Sequence, residues 1–104
     1  ISKDVLADQE IIKEKKILEK FFETLGKRPE MAAYGEEKVK KALKYGAVQL
    51  LLLSKKLKKE QIIELRNMAN SISAEVEMIS VETPEGEQFW NISGIGAILR
   101  FATG

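Results

Sequence analysis

The segment Ala47–Ser54, with the sequence AVQLLLLS, constrains the fold of this 104-residue chain more than any other. It is an apolar run rather than an alternation of apolar and polar residues, which is typical of a strand buried on both faces. Its apolar stretch Val48–Leu53 is interrupted by Gln49 and is too short to cross a bilayer. A strand covered on both faces needs a layer on each side, so the sequence predicts a layered domain with this strand at its centre.

A long amphipathic helix is predicted to lead the chain, over Ser2–Leu25. Apolar residues recur there at helical spacing and define one face, which comprises Ile11, Ile12, Leu18, Phe21, Phe22 and Leu25. The opposite face carries charges of both signs and is predicted to be solvated; it comprises Lys13, Glu14, Lys16, Glu19, Lys20 and Glu23. Gly26 and Pro29 favour termination of the helix.

Strand-like and helical segments alternate over the rest of the chain. In order they are a short strand at Met31–Tyr34, a helix at Glu36–Tyr45, the strand at Ala47–Ser54, a helix at about Lys58–Ser71, a strand at Glu75–Val81, a short helix starting at Thr83-Pro84, and a strand at Ile95–Phe101. Such alternation predicts a three-layer α-β-α sandwich with a mostly parallel central sheet. The length allows one core, so we expect a single domain over 1–104, with the helix of residues 1–26 packed on the α/β core.

The composition excludes several classes of function. The chain has no Cys and no His, which removes thiol nucleophiles, disulfides, zinc sites and imidazole acid–base chemistry. We therefore expect no enzymatic activity, no cofactor, no metal and no small-molecule substrate. No targeting or membrane segment is recognisable, and a reducing, cytoplasmic setting is expected. The net charge of +1 provides no global attraction to nucleic acid, so any RNA contact would need a local patch.

Two motifs suggest chemistry, but their sequence context favours structural roles. Gly94-Ile95-Gly96 precedes a strand, whereas phosphate-binding glycine turns follow a strand and open a helix. We interpret these glycines as sites of close backbone packing. The carboxylate pairs Glu36/Glu37 and Glu85/Glu87 lie where a helix N-terminus favours negative charge, and no nucleophile or metal-ligand set accompanies them.

The lysine-rich turn after the central strand has two interpretations. Its four lysines are Lys55, Lys56, Lys58 and Lys59. Ligands of open α/β sheets gather at the carboxyl ends of strands, so the turn is a candidate contact for RNA phosphates. A solvated loop is the alternative, because no aromatic residues interleave with the lysines.

Phe89 and Trp90 are adjacent in a short, otherwise polar segment and cannot both point inward from one helix face. An aromatic side chain outside the core often marks a protein interface. The alternative is that one ring completes the core while the other covers the edge of the sheet. The sequence leaves both interpretations open.

Several motifs, in order along the chain, resemble the C-terminal domain shared by Pelota and the class-1 release factors of archaea and eukaryotes. They are Tyr34-Gly35-Glu36-Glu37, Val39, Ala42-Leu43, Gly46-Ala47-Val48, Gly86-Glu87-Gln88 and Gly94–Phe101. The resemblance implies a fold similar to that of the ribosomal kink-turn-binding proteins. It also implies the function of a domain that neither reads the stop codon nor hydrolyses peptidyl-tRNA. Such a domain docks a translational GTPase, in archaea elongation factor 1-alpha, and later a recycling ATPase, and it meets the ribosome through the full-length chain.

The resemblance also implies a location for partner binding. The family's GTPase-binding segment falls on Ala97, Ile98, Leu99, Arg100 and Phe101, where Ala97 replaces the usual Gly. We expect the Phe89-Trp90 segment to lie nearby.

Two branches and one further function remain open. The helix around Ile12–Lys16 with Phe21-Phe22 resembles release factors, whereas the short Ser54–Lys59 turn lacks the inserted minidomain of many release factors and resembles Pelota. Direct kink-turn RNA binding is the third alternative. It is disfavoured because Glu37 and Lys38 fall where the kink-turn proteins have an Asn-Glu pair, although Lys41 matches.

Overall fold

The computed structural model describes residues 8–101 and contains alternating helices and strands. In chain order these are α1 (Asp8–Lys27), β1 (Ala32–Tyr34), α2 (Glu36–Lys44), β2 (Val48–Ser54), α3 (Lys59–Ser71), β3 (Glu75–Ile79), α4 (Pro84–Ile92) and β4 (Ile95–Leu99). A 3-10 turn at Pro29–Met31 joins α1 to β1. The order agrees with the predicted one. The part of the leading helix predicted at residues 2–7 lies outside the described residues.

The four strands form one mixed sheet in the order β1-β4-β2-β3. β2 and β3 are parallel, whereas β4 is antiparallel to both of its neighbours, β1 and β2. The predicted α/β sandwich is confirmed, but the sheet is not mostly parallel, since only one of its pairs is. The reason lies in α4: β3 ends at Ile79, and β4 starts at Ile95 beside Leu53, near the end of β2. α4 therefore returns the chain to the same end of the sheet at which β3 ended, so β4 must run antiparallel to β2.

Helices cover both faces of the sheet, as the apolar run of β2 predicts. Leu51 and Leu53 pack in a core cluster with side chains of α2 and α3, whereas Leu52 packs on the other face with α1 and α4. The α2–α3 cluster comprises Ala33, Val39, Ala42, Leu43, Val48, Leu51, Leu53, Leu65, Ala69, Ala74, Ile95, Ala97 and Leu99. The α1–α4 cluster comprises Leu18, Phe21, Ala32, Leu52, Ile79, Phe89 and Ile98. Alternate side chains of β2 and β4 thus fill two separate cores.

The side chain of Ile11, predicted on the buried face of α1, lies outside the described residues; among the described side chains the buried face differs from the predicted one at two positions. Leu18 and Phe21 are fully buried, as expected, but Ile12 is 53% exposed. Glu14, predicted on the solvated face, is only 7% exposed. The buried stripe runs through Glu14, Leu18, Phe21 and Leu25 at steps of four, three and four, and Ile12 falls outside it.

The glycines at the start of β4 have the packing role that the sequence indicates. Gly94 has a φ of +74°, and a Cβ there would lie 2.6 Å from the Trp90 ring. A Cβ at Gly96 would lie 2.8 Å from Phe21 Cζ and 2.9 Å from Phe89 Cε1. Both positions require the absence of a side chain.

Candidate partner-binding surfaces

Three residues of the predicted GTPase-binding segment lie inside the core. Ala97, Ile98 and Leu99 belong to β4, which lies between β1 and β2, and their exposed fractions are 0%, 5% and 4%. Ala97 and Leu99 face α2 and α3, whereas Ile98 faces α1 and α4. Their burial removes them from any contact surface of the folded domain. Their packing in the core fixes the start of the segment that follows, Arg100 and Phe101.

Arg100 emerges at the end of β4 and is anchored to the neighbouring strand. Its backbone N–H donates to the Ala47 carbonyl oxygen at 2.7 Å. Its side chain donates from Nε and Nη2 to the Val48 carbonyl oxygen at 3.2 and 2.9 Å. Arg100 nevertheless remains exposed and borders a groove of about 290 Å³ that extends to Lys20 and Glu75. The guanidinium is therefore held in place by the Val48 carbonyl oxygen. Its remaining N–H groups can still donate hydrogen bonds to a partner.

Two exposed aromatic residues flank Arg100 and complete what we call the Arg100 surface, defined as Tyr45, Arg100 and Phe101. Phe101 is 49% exposed, and Tyr45, at the end of α2, is 59% exposed. The backbone of Tyr45 is close to that of Arg100, because Ala47, two residues later, accepts a hydrogen bond from the Arg100 N–H. Exposed aromatic and Arg side chains together are typical of protein interfaces. Sequence reasoning missed Tyr45, although an aromatic residue just before the helix-ending Gly46 was a usable signal.

Phe89 and Trp90 lie in different environments, one inside the core and one outside it. Phe89 is fully buried and packs edge-on against Phe21, with ring centroids 5.7 Å apart and an interplanar angle of 90°. Trp90 is partly exposed and lies against Gly94, at the end of the sheet where β4 begins. Phe89 is therefore a core residue, and Trp90 alone can contact a partner.

The predicted lysine turn joins β2 to α3 at the carboxyl end of β2. Lys55, Lys56, Lys58 and Lys59 are all exposed. Lys56 Nζ lies 5.8 Å from the centroid of the Trp90 ring. These four lysines and Trp90 are called the lysine edge below. The aromatic residue that is missing from the lysine turn in sequence is thus supplied by α4 in space.

The Arg100 surface and the lysine edge lie at opposite ends of β4. Trp90 lies against Gly94, just before the strand, and Arg100 follows its last residue, Leu99. A strand of five residues spans about 17 Å. The expectation that the Phe89-Trp90 segment lies near the Arg100 end is therefore not met. The domain instead presents two separate surfaces.

The carboxylate pairs occupy the helix starts that the sequence assigns to them. Glu36 and Glu37 lie in the first turn of α2, and Glu85 and Glu87 in that of α4. Within residues 8–101, no group of three or more acidic residues could hold a metal ion, and no helix is long and apolar enough to cross a membrane.

An ion pair links α2 to α3 at the surface. Lys40 Nζ lies 3.0 Å from Glu64 and 3.3 Å from Glu36. These hydrogen bonds, first to Glu64 and then to Glu36, raise the pKa of the Lys40 ammonium above its usual value. The pair connects the two helices of one layer.

The positions that correspond to the kink-turn contacts are all exposed. Glu37 and Lys38 lie in the first half of α2, and Lys41 is one turn further along. Lys38 Nζ lies 5.5 Å from the centroid of the Tyr34 ring. The Glu37 carboxylate has no amide donors to offer to a base, which keeps kink-turn binding disfavoured.

The fold and these surfaces define a three-layer α/β domain that exposes aromatic and cationic side chains at both ends of its sheet. The family model described as eRF1 domain 3 matches residues 11–103, and the chain belongs to this family. It is 33% identical to peptide chain release factor subunit 1 of Thermococcus kodakarensis, over 94% of this chain and 35% of the relative. It is 38% identical to the pelota homolog of Pyrococcus horikoshii, over 93% of this chain and 28% of the relative. The chain thus spans about a third of the length of these relatives.

A solved structure shows the same fold. The C-terminal domain of the peptide chain release factor from Methanosarcina mazei superposes with a TM-score of 0.87 at 25% identity, covering 93% of this chain and 87% of that domain. The lengths of the sequence alignments differ between the two branches. The Thermococcus release factor aligns over 145 residues, more than this chain possesses, whereas the Pyrococcus pelota homolog aligns over 101. The release factor therefore carries residues without a counterpart here, in keeping with the short β2–α3 connection.

Proposed function

We propose that this chain is the C-terminal, partner-binding domain of a peptide chain release factor that acts on cytoplasmic ribosomes. In this proposal the domain docks a translational GTPase of the elongation factor 1-alpha type, and later a recycling ATPase. It contributes no catalytic group to peptide release. Membership of the eRF1 domain 3 family supports the assignment to translation factors.

The observation that carries the proposed docking site is the exposure of Tyr45, Arg100 and Phe101 around a rigid strand end. The segment that the family resemblance assigns to the GTPase has three buried residues, so only Arg100 and Phe101 can make direct contact. Tyr45 extends this contact area on the neighbouring loop. An Arg held by its own backbone and side chain is pre-organised, which reduces the entropy lost on binding.

Related proteins provide the second line of support. Dom34 of S. cerevisiae, 30% identical with a TM-score of 0.78 over 86% of this chain and 27% of its own, is described as interacting with Hbs1. Archaeal Pelota, 27% identical, is described as ribosome-bound together with ABCE1. Of these two relatives, one is thus described with a protein partner and the other on the ribosome together with a second protein, which is the type of role proposed here.

The proposal is tested by measuring the affinity of this domain for elongation factor 1-alpha loaded with a non-hydrolysable GTP analogue. The variants are Tyr45→Ser, Arg100→Ala and Phe101→Ser. Each is expected to weaken binding about tenfold, because truncation of a central interface residue has effects of this size. Ile63→Ser is the matched control, since Ile63 on α3 is also 49% exposed but lies outside the Arg100 surface.

Two outcomes would contradict the proposal. Failure of the wild-type domain to bind the GTPase would exclude the partner. Equal binding by wild type and all three variants would exclude the Arg100 surface as the docking site. Thermal unfolding of each variant distinguishes a weakened interface from an unfolded domain, because Tyr45 and Phe101 are exposed and make little contribution to the core.

A Pelota-type ribosome rescue factor is the second candidate, favoured by the alignment over 101 residues with the Pyrococcus pelota homolog. The family resemblance distinguishes the two candidates through the domain that precedes this one. A Gly-Gly-Gln loop encoded upstream in the same gene would indicate a release factor. An RNA-binding barrel without that loop would indicate Pelota.

A further inference from the structure

The lysine edge is held together by contacts between segments that are distant in sequence. Where β2 ends, the Ser54 N–H donates to the Gly94 carbonyl oxygen at 2.8 Å, and the Lys55 N–H donates to the Ile79 carbonyl oxygen at 2.8 Å. The turn is thereby fixed to both β3 and the start of β4. Leu57 approaches the position that a Gly94 Cβ would occupy, at 3.4 Å, so the turn and Trp90 both pack against this one glycine.

The positive charge of this edge is concentrated and available. Four of the five residues from Lys55 to Lys59 are lysines, and all four are exposed. Within residues 8–101, none of them lies within ion-pair distance of a carboxylate. The neighbouring acidic residues are Glu60, which follows Lys59, Glu87, which is three residues before Trp90, and Glu77, which lines a groove together with Lys55. The chain has a net charge of only +1, so this edge is a local cationic patch on an almost neutral domain.

Aromatic rings accompany the lysines on both sides of the start of β4. On one side, Lys56 Nζ lies 5.8 Å from the centroid of Trp90, which is partly exposed. On the other side, Tyr34 is 41% exposed, and Lys38 Nζ lies 5.5 Å from its centroid. The two sides belong to one edge, because Gly35, next to Tyr34, donates from its N–H to the Ile95 carbonyl oxygen at 3.0 Å.

We propose that the lysine edge, with Tyr34 at its margin, binds unpaired RNA. A base would stack on the Trp90 ring in place of the Lys56 ammonium, and the released lysine would join its neighbours on the phosphates. Bases splayed from a loop or single strand stack on aromatic side chains in this way, while lysines follow the backbone. An acidic peptide would use the lysines but has no need of a ring beside them. RNA is therefore favoured over an acidic protein.

The first experiment uses Trp90 itself, because it is the only tryptophan of the chain. A single-stranded RNA of about 12 nucleotides and mixed sequence is titrated into the protein at low salt, and the tryptophan emission is recorded. Stacking of a base on the ring is expected to quench the emission. Unchanged emission at RNA concentrations that saturate binding, or the absence of binding, would overturn the proposal.

The second experiment measures the affinity of labelled RNA for variants. Trp90→Leu is expected to weaken binding about tenfold, whereas Trp90→Phe, which retains an aromatic face, is expected to weaken it less. Replacing Lys56 and Lys59 by Gln is expected to lower the slope of log affinity against log salt by about 0.7 for each phosphate that a lysine no longer neutralises. Lys44→Gln is the control, because Lys44 is exposed at the far end of α2.

Three results would contradict the RNA assignment. Equal losses of affinity for Trp90→Leu and Trp90→Phe would show that the ring acts through packing. Duplex RNA bound as tightly as the single strand would exclude base stacking. Poly-glutamate bound as tightly as RNA would identify the edge as a surface for acidic proteins. Thermal unfolding confirms that each variant is folded, so loss of the RNA-dependent signal in a folded variant is informative in every case.

Discussion

The Thr83 hydroxyl donates a hydrogen bond to Glu14 Oε1 at 3.0 Å, and this contact joins the start of α4 to the first half of α1. Thr83 is also the N-cap of α4, where its Oγ1 accepts from the Gly86 N–H at 3.0 Å. The Ser80 hydroxyl lies 3.1 Å from both oxygens of the same carboxylate, and the Ser80 N–H donates to Oε2 at 3.4 Å. A buried carboxylate is tolerated here because the β3–α4 connection supplies its hydrogen bonds.

Replacing Glu14 by Leu is expected to lower the free energy of unfolding by about 2–4 kcal/mol, because Ser80 and Thr83 would lose their buried acceptor. Urea denaturation measures the change. Glu19→Leu on the exposed face of α1 is the control and is expected to change stability by less than about 0.5 kcal/mol. Equal effects of the two substitutions would show that the hydrogen bonds around Glu14 contribute nothing specific.

Gly96→Ala is expected to destabilise the domain by about 1–3 kcal/mol, because the added methyl group would be forced against the Phe21 and Phe89 rings. Gly86→Ala is expected to be at least as damaging, since its Cβ would collide with the Ser80 carbonyl oxygen. Gly26→Ala in the last turn of α1 is the matched control. No atom lies within 4 Å of a Cβ there, and a helical Ala is expected to stabilise by up to about 1 kcal/mol. A destabilising Gly26→Ala or a neutral Gly96→Ala in thermal unfolding would refute this assignment.

Features that depend on local sequence are predicted correctly, whereas features that depend on contacts between distant segments are not. The apolar run of β2 and the glycines at the start of β4, Gly94 and Gly96, each favour one structural interpretation, and the structure agrees with both. The position of β4 between β1 and β2 depends on where α4 leads the chain after β3. No local sequence pattern predicts that path. The charge of Glu14 predicts a solvated position, although its spacing places it on the buried stripe of α1. The hydrogen-bond donors that allow its burial, Ser80 and Thr83, come from a distant connection that the local sequence does not reveal.

The candidate sites also combine features that the local sequence predicts with features that only long-range strand pairing determines. Sequence similarity points to Ala97–Phe101, yet only the pairing of β4 on both sides reveals that its first three residues are buried. The proximity of Lys56 and Trp90 likewise arises from the alignment of β2 with β4 and could not be derived from spacing. Long-range pairing therefore decides which of the predicted residues can reach a partner.

Replacing Lys40 by Met is expected to lower the melting temperature slightly, because the ion pair with Glu64 and Glu36 is at the surface. Its pKa is raised in the folded state, so the contribution is complete below pH 10.5, the usual pKa of lysine, and is lost as the pH rises through the folded-state pKa. The difference in melting temperature between wild type and variant should thus be constant from neutral pH up to the usual lysine pKa of 10.5 and shrink above it. A difference that persists unchanged in strong alkali would contradict an electrostatic origin.

Arg100 is expected to have a structural effect that can be separated from its proposed docking role. Arg100→Ala removes two hydrogen bonds to the Val48 carbonyl oxygen, and we expect a loss of about 0.5–1.5 kcal/mol in the free energy of unfolding. Phe101→Ser removes no hydrogen bond of this kind and is expected to leave stability within about 0.5 kcal/mol of wild type. If both variants bind the GTPase more weakly, the stable Phe101→Ser protein shows that the interface rather than unfolding is responsible. Loss of binding in Arg100→Ala alone, in proportion to its loss of stability, would instead assign Arg100 to holding the end of β4 against β2.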